Sequence, residues 1–152
     1  NIWLARAELE NALEAAALAA VKEWGDSSGA ANLAARNVGV TYAAANTVTG
    51  SSVVITTNHG ALVNENASLS GNLVFGAVTT TGIPWVFSSS TVPGPGTSFG
   101  VRAQATVVVN SVACRLGGYV VPAFQVSATA TARYAVGGGS PQLIRVRPEN
   151  FS

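Results

Sequence analysis

The sequence predicts an α+β domain: a long, alanine-rich N-terminal helix and a second helix, packed on an antiparallel β-sheet. Apolar residues recur with helical spacing through residues 2–24, and from about residue 47 the period changes to two. Composition agrees with a single packed body, since 152 residues can bury a sizeable core. Hydrophobic residues make up 48% and charged residues 10%, against about 25% charged in an ordinary soluble domain. Ser, Thr, Asn, Gly and Ala must therefore cover the surface. Such a coat suits an extracellular or polymer-forming protein better than a crowded cytoplasm, where charge keeps molecules apart.

The first helix is "IWLARAELENALEAAALAAVKEW" (2–24), built of good helix formers and followed by Gly25 as a C-terminal stop. At about 100° per residue, Ile2, Leu9, Leu13, Ala16, Ala20 and Trp24 share one face. Leu4 and Leu18 fall opposite, with Trp3 and Val21 between. One stripe suffices to pack against a parent domain, so two stripes predict two partners. The helix is then sandwiched between its own sheet and a neighbouring molecule, with Ile2, Trp3, Leu4, Leu9, Leu13, Leu18, Val21 and Trp24 as the assembly interface. The alternative is a central helix wrapped by its own small domain. The first residues lack a capping side chain and the chain has no Met, which predicts a signal or membrane segment upstream that has been removed. No run in this sequence reaches the ~18 apolar residues of a spanning helix.

A second helix is expected from Ser28 as N-cap through "GAANLAARNVGVTYAAAN", weakened in its middle by Gly39, Val40 and Thr41. Strands follow. "VRAQATVVV" (101–109) and "QVSATATARYAV" (125–136) alternate small apolar residues with Arg, Gln, Ser and Thr, the mark of half-buried antiparallel strands. Shorter candidates are residues 51–57, 72–78, 85–89 and 142–147. The inward row Val126, Ala128, Ala130, Ala132 leaves room for a close-lying backbone, and an alanine-rich helix fits there at interior density. Residues 88–98, rich in Ser, Pro and Gly, form a surface loop. "GGGSP" (137–141) is a hinge, after which a terminal strand closes the parent sheet or joins another sheet's edge. The expected division is 1–25 (assembly helix), 26–136 (α+β body) and 137–152 (hinged tail).

The chemistry-bearing inventory is thin. Residues 1–26 hold Glu8, Glu10, Glu14, Glu23 and Asp26 against Arg6 and Lys22, whereas the remainder is basic, so the two ends are complementary. Scattered arginines without interleaved aromatics do not predict nucleic-acid binding. His59, in a turn, lacks the partners of a triad. Glu10 and Glu14 are one helical turn apart and read as a solvated edge. No cluster predicts a metal or a cofactor. "GPGTSFG" and "RLGGY" lack the Lys and the context of phosphate loops. Cys114, the single cysteine, excludes an internal disulfide framework. Asn66 in "NAS" fits a glycosylation acceptor.

With "ARAELENALEAAALAA" (5–20), "PAF" (122–124) and "VSATATARY" (126–134) in this order, the sequence resembles the TadE/TadG-like proteins, minor pilin-like components of Tad (Flp) pilus machinery. The resemblance implies a pilin-like helix-plus-sheet fold, an upstream membrane helix, export to the bacterial surface and assembly into or beside a filament. Other copies and other pilus components are the implied partners, with no catalytic residues. A monomeric surface adhesin, binding through the Ser/Thr-rich loops at 78–98, is the other expectation.

Overall fold

The computed structural model describes residues 2–60, 63–79, 83–109, 115–116, 119–120 and 123–152. Helices α1 (Ile2–Asp26) and α2 (Asn32–Ala44) precede strands β1 (Thr47–Val48), β2 (Ser51–Ser52), β3 (Leu73–Thr79), β4 (Phe87–Ser89) and β5 (Thr97–Val109). Then come β6 (Arg115–Leu116), β7 (Tyr119–Val120), β8 (Phe124–Ala135) and β9 (Gln142–Ile144). Five strands form an antiparallel sheet of order β4-β3-β5-β8-β9, while β1-β2 and β6-β7 are separate two-stranded pairs. The protein is therefore α+β, with the N-terminal helix and a second helix on one face of the sheet.

Alternation places Val101, Ala103, Ala105, Ala128, Ala130 and Ala132 on the helix face, all buried. Opposite them α1 buries Ala5, Leu9, Ala12, Leu13, Ala16, Ala17, Ala20, Val21 and Trp24. Small residues on both sides bring helix and sheet close without voids. Trp24 closes one end, 4.8 Å from the Phe75 ring and 5.0 Å from Phe99.

Helix α2 covers the flank of α1. Gly39, expected to weaken α2, makes this contact: a Cβ there would lie 3.2 Å from the Ala20 Cβ and 3.4 Å from the Ala16 carbonyl oxygen. Ala16 and Ala20 of the first stripe thus meet α2 of the same chain, while of the second stripe Leu4 is exposed and Leu18 half-buried. Two further sequence readings are corrected at the helix junction. α1 continues through Gly25 to Asp26, and the missing Cβ of Gly25 makes room for Tyr134, whose ring would lie 3.0 Å from it. Ser28 does not cap α2. It takes the left-handed conformation (φ 54°) that ends α1, with Ser28 N–H bonded to Gly25 O and Gly29 N–H to Trp24 O. Helix α2 begins instead at Asn32, and Ser27 Oγ accepts from the Ala31 N–H.

The expected strand at 51–57 pairs only at Ser51–Ser52. Val53 and Ile55 still bury their side chains, but the backbone is held by other groups: Val53 N–H donates to Asn46 O and Thr56 N–H to Asn72 Oδ1.

The other face of the sheet carries a smaller core of Val74, Val78 and Phe87, covered by Trp85, Ile144, Val146 and Phe151. Gly76 of β3 lies opposite Gly100 of β5, and their missing side chains leave the hollow that the Phe87 ring fills. Phe151 stacks on Phe87 at 5.1 Å. The C-terminal segment therefore stays with its own sheet: after Gly137–Gly139, all at positive φ, β9 pairs with β8 over Thr131–Arg133. The chain then crosses the face, and Ser152 bonds to Phe87 and Ser89.

Candidate functional site

Helix α1 leaves the core at its first turn. Ile2 is 52% exposed, Trp3 80% and Leu4 59%, while every apolar residue from Leu9 to Trp24 is buried or half-buried. Leu9, Leu13, Val21 and Trp24, expected on an intermolecular interface, lie in the chain's own core, and Leu18 packs half-buried against it. The physical reason is that α2 and the sheet of the same chain both pack on α1, along one broad face from Ala5 to Trp24. Of the expected surface, Ile2, Trp3 and Leu4 remain accessible. At ~25 cal/mol per Å2, covering them contributes about 3 kcal/mol for the indole and about 1 kcal/mol for each aliphatic side chain.

Beside β8 lies a cleft of about 590 Å3, walled by Glu10 and Glu14 on α1 and by Arg102, Thr129–Thr131, Leu143–Val146 and Pro148. The two glutamates stand half-buried on one wall, not on opposite walls where paired acids would flank a scissile bond. Arg6 pairs with Glu10 along the helix at 3.4 Å. The Arg102 guanidinium sits 5.6 Å from the Phe151 ring centre, and burial holds its pKa below the ordinary value. Arg102 Nε and Gln104 Oε1 are buried without a hydrogen-bond partner among the described residues. Among the described residues the lining carries carboxylates, guanidinium groups and threonine hydroxyls. It is suited to binding polar backbone or charged side chains.

A third cluster is internal. Arg36 of α2 is fully buried and makes six hydrogen bonds. Nε donates to Asn32 Oδ1, Nη1 to Thr57 O (2.8 Å), Asn58 O (3.1 Å) and Leu73 O (3.2 Å), and Nη2 to Val63 O and Asn64 Oδ1. The guanidinium lies 4.1 Å from the Phe75 ring centre, and burial pushes its pKa down to about 10. Asn64 also accepts from Phe75 N–H and donates to Phe75 O, both at 2.8 Å, as a neighbouring strand would. Asn58 donates to Leu73 O. Side chains therefore close the outer edge of β3 where β4 does not reach.

The remaining sequence candidates are dispersed. His59 is exposed in the segment between β2 and β3. Asn66 is exposed, with its amide 3.3 Å from Ser70 Oγ. Cys114 lies outside the described residues, as do residues 80–82 of the Ser/Thr-rich loops. Among the described residues, no group of three or more His, Cys, Asp or Glu could hold a metal, and no helix is long and apolar enough to cross a membrane. Sequence reasoning missed Arg36 and Arg102. The signal for Arg36 was present, since it falls with Gly39 and Ala43 on the buried stripe of α2. Arg102 carried none, because only the path of the C-terminal segment covers it.

No protein-family model matches this chain, and neither the curated proteins nor the solved structures include a match.

Proposed function

We propose that this chain is a structural subunit of an extracellular bacterial filament, assembling through the start of its N-terminal helix. The observation that carries the reading is the apolar turn Ile2–Trp3–Leu4, exposed on a helix whose apolar residues from Leu9 to Trp24 are buried or half-buried in the domain. Association through that turn gains about 5 kcal/mol of apolar burial per contact, and repetition along a polymer multiplies it through avidity. When the turn meets a different patch on the next copy, the contact is heterologous and open-ended, the type that grows fibres. The helix-on-sheet outline is pilin-like, and the motifs shared with the TadE/TadG-like proteins supply the cellular setting: export, a bacterial surface, and other copies or other pilus components as partners. The sparse charge of the surface agrees with that setting.

Negative-stain electron microscopy of wild type and Leu4→Asp tests the reading. Filaments from wild type and dispersed, folded particles from the variant support it. Filaments of equal length and number from both remove it. Dispersed particles from wild type, with binding to a surface or carbohydrate, favour the adhesin reading, for which exposed Ile83 and Val92 in the segment before β5 are the candidate contacts.

A further inference from the structure

The two edges of the main sheet are treated differently. On the β4 side, Asn58, Asn64 and Arg36 satisfy the outer backbone of β3, and Ser152 binds the backbone of β4. On the β8 side, β9 pairs only with Thr131–Arg133. Among the described residues no strand covers the outer edge of Phe124–Ala130, and the cleft opens along its end.

Hydrogen-bond phase identifies the groups on that edge. Val136 N–H donates to Thr97 O, and Gln104 N–H turns away from β8 to Asn72 O. Antiparallel pairs alternate between bonded and non-bonded, so even-numbered residues of β8 face β5 and odd-numbered residues face outward. Gln125, Ser127 and Thr129 thus present their N–H and C=O groups at the open edge, and their side chains are exposed. The stretch "FQVSATA" has no charge and no proline, the usual devices that stop an edge from pairing.

We propose that two copies of this chain join antiparallel along Phe124–Ala130, about a two-fold axis at Ser127, into one ten-stranded sheet. Outward groups must meet outward groups, so Ser127 faces Ser127 of the second copy and Gln125 faces its Thr129. This register uses all seven residues that no strand covers among the described residues, about 23 Å of edge, and stops where β9 begins. Charge selects a second copy as the occupant. Arg6 and Glu10 lie along the edge beside Ser127–Thr129, and the two-fold turns this stripe antiparallel to its copy, setting Arg6 of each against Glu10 of the other. Strands lie about 4.8 Å apart and α1 sits over β5 and β8, so the two α1 helices run about 10 Å apart, an ordinary packing distance. The pairing goes beyond filament growth through Ile2–Leu4 and does not depend on it.

The test is site-specific crosslinking in a Cys114→Ser background. Directly opposed residues of a bonded pair lie about 5.5 Å apart at Cα, within disulfide reach. Ser127→Cys is expected to give a covalent dimer on mild oxidation, whereas Thr129→Cys, which faces Gln125, is not. Ser127→Pro removes an outward donor and the exposed hydroxyl contact to Thr106 but leaves the backbone ladder to β5 in place, and it weakens dimerisation at least about tenfold by sedimentation while circular dichroism is unchanged. Ser127→Lys, which sets like charges face to face, is expected to do the same should the proline variant fold poorly. Arg6→Glu weakens the dimer, and Arg6→Glu with Glu10→Arg restores it. A monomeric wild type at all concentrations, or equal crosslinking of both cysteine variants, overturns the proposal. Filaments that persist in Ser127→Pro would leave the filament reading intact, and loss of filaments in Leu4→Asp alone would leave the edge dimer intact.

Discussion

Replacing Arg36 with methionine tests how a buried cation is held without a carboxylate. A sum over its six hydrogen bonds would predict a loss of about 9–18 kcal/mol, at about 1.5–3 kcal/mol each. The geometry argues for far less. Leu73 O keeps Asn58 Nδ2, Asn58 O keeps the Glu65 N–H, and Asn64 Oδ1 keeps the Phe75 N–H. Asn32 is half-buried and reaches water. Among the described residues only Thr57 O and Val63 O lose their partner, at about 1–3 kcal/mol each. Against this, the variant no longer buries a charge, and methionine fills a similar space against Phe75. The expected net loss is about 3 kcal/mol. In urea, with m near 2 kcal/mol/M, the midpoint falls by about 1.5 M with an unchanged slope. In a thermal melt, Tm falls by about 6–12 °C. A loss under about 1 kcal/mol would mean the two carbonyls find other partners. A loss above about 6 kcal/mol would mean the charge itself is net stabilising. Either result refutes the accounting.

Three further outcomes are expected. Leu4→Asp leaves Tm within about 2 °C of wild type, whereas Leu18→Asp, half-buried against the core, costs about 2 kcal/mol; equal melting of the two would contradict the placement of α1. Gly100→Val is expected to cost about 2–3 kcal/mol by overpacking, because its Cβ would come within 2.6 Å of Val78 and 2.8 Å of the Phe87 ring; a melt matching wild type would show that Phe87 does not occupy the hollow. The Asp26 carboxylate is held below its ordinary value of 3.8, first by the hydrogen bond from Lys22 and then by that from Tyr134. Its folded pKa is therefore the lower one, so its stabilisation is fully present above about pH 4 and is lost as pH falls through the folded value. Asp26→Asn should flatten the acid limb of Tm against pH, and an unchanged limb would remove Asp26 as its source.

Periodicity alone determined the element types. The 3.6-residue repeat of α1, the two-residue repeats of β5 and β8 and the row Val126–Ala128–Ala130–Ala132 are local properties, and each survives into the fold because side-chain direction follows backbone geometry. Local sequence could not say what would cover α1. It marked Leu9, Leu13, Val21 and Trp24 for a neighbour, and the structure buries them in the chain's own core, with α2 packed close to α1 at Gly39. Gly25 and Ser28 were misread for a related reason: one is small because Tyr134 arrives from residues far along the chain, the other is left-handed because it ends α1. The cleft beside β8, the covering of Arg102 and the partners of Arg36 were decided in three dimensions, although the place of Arg36 on the buried stripe of α2 was legible. They depend on where the C-terminal segment leaves β8 and on which loops fold over α2, and such long-range contacts leave no period in the sequence.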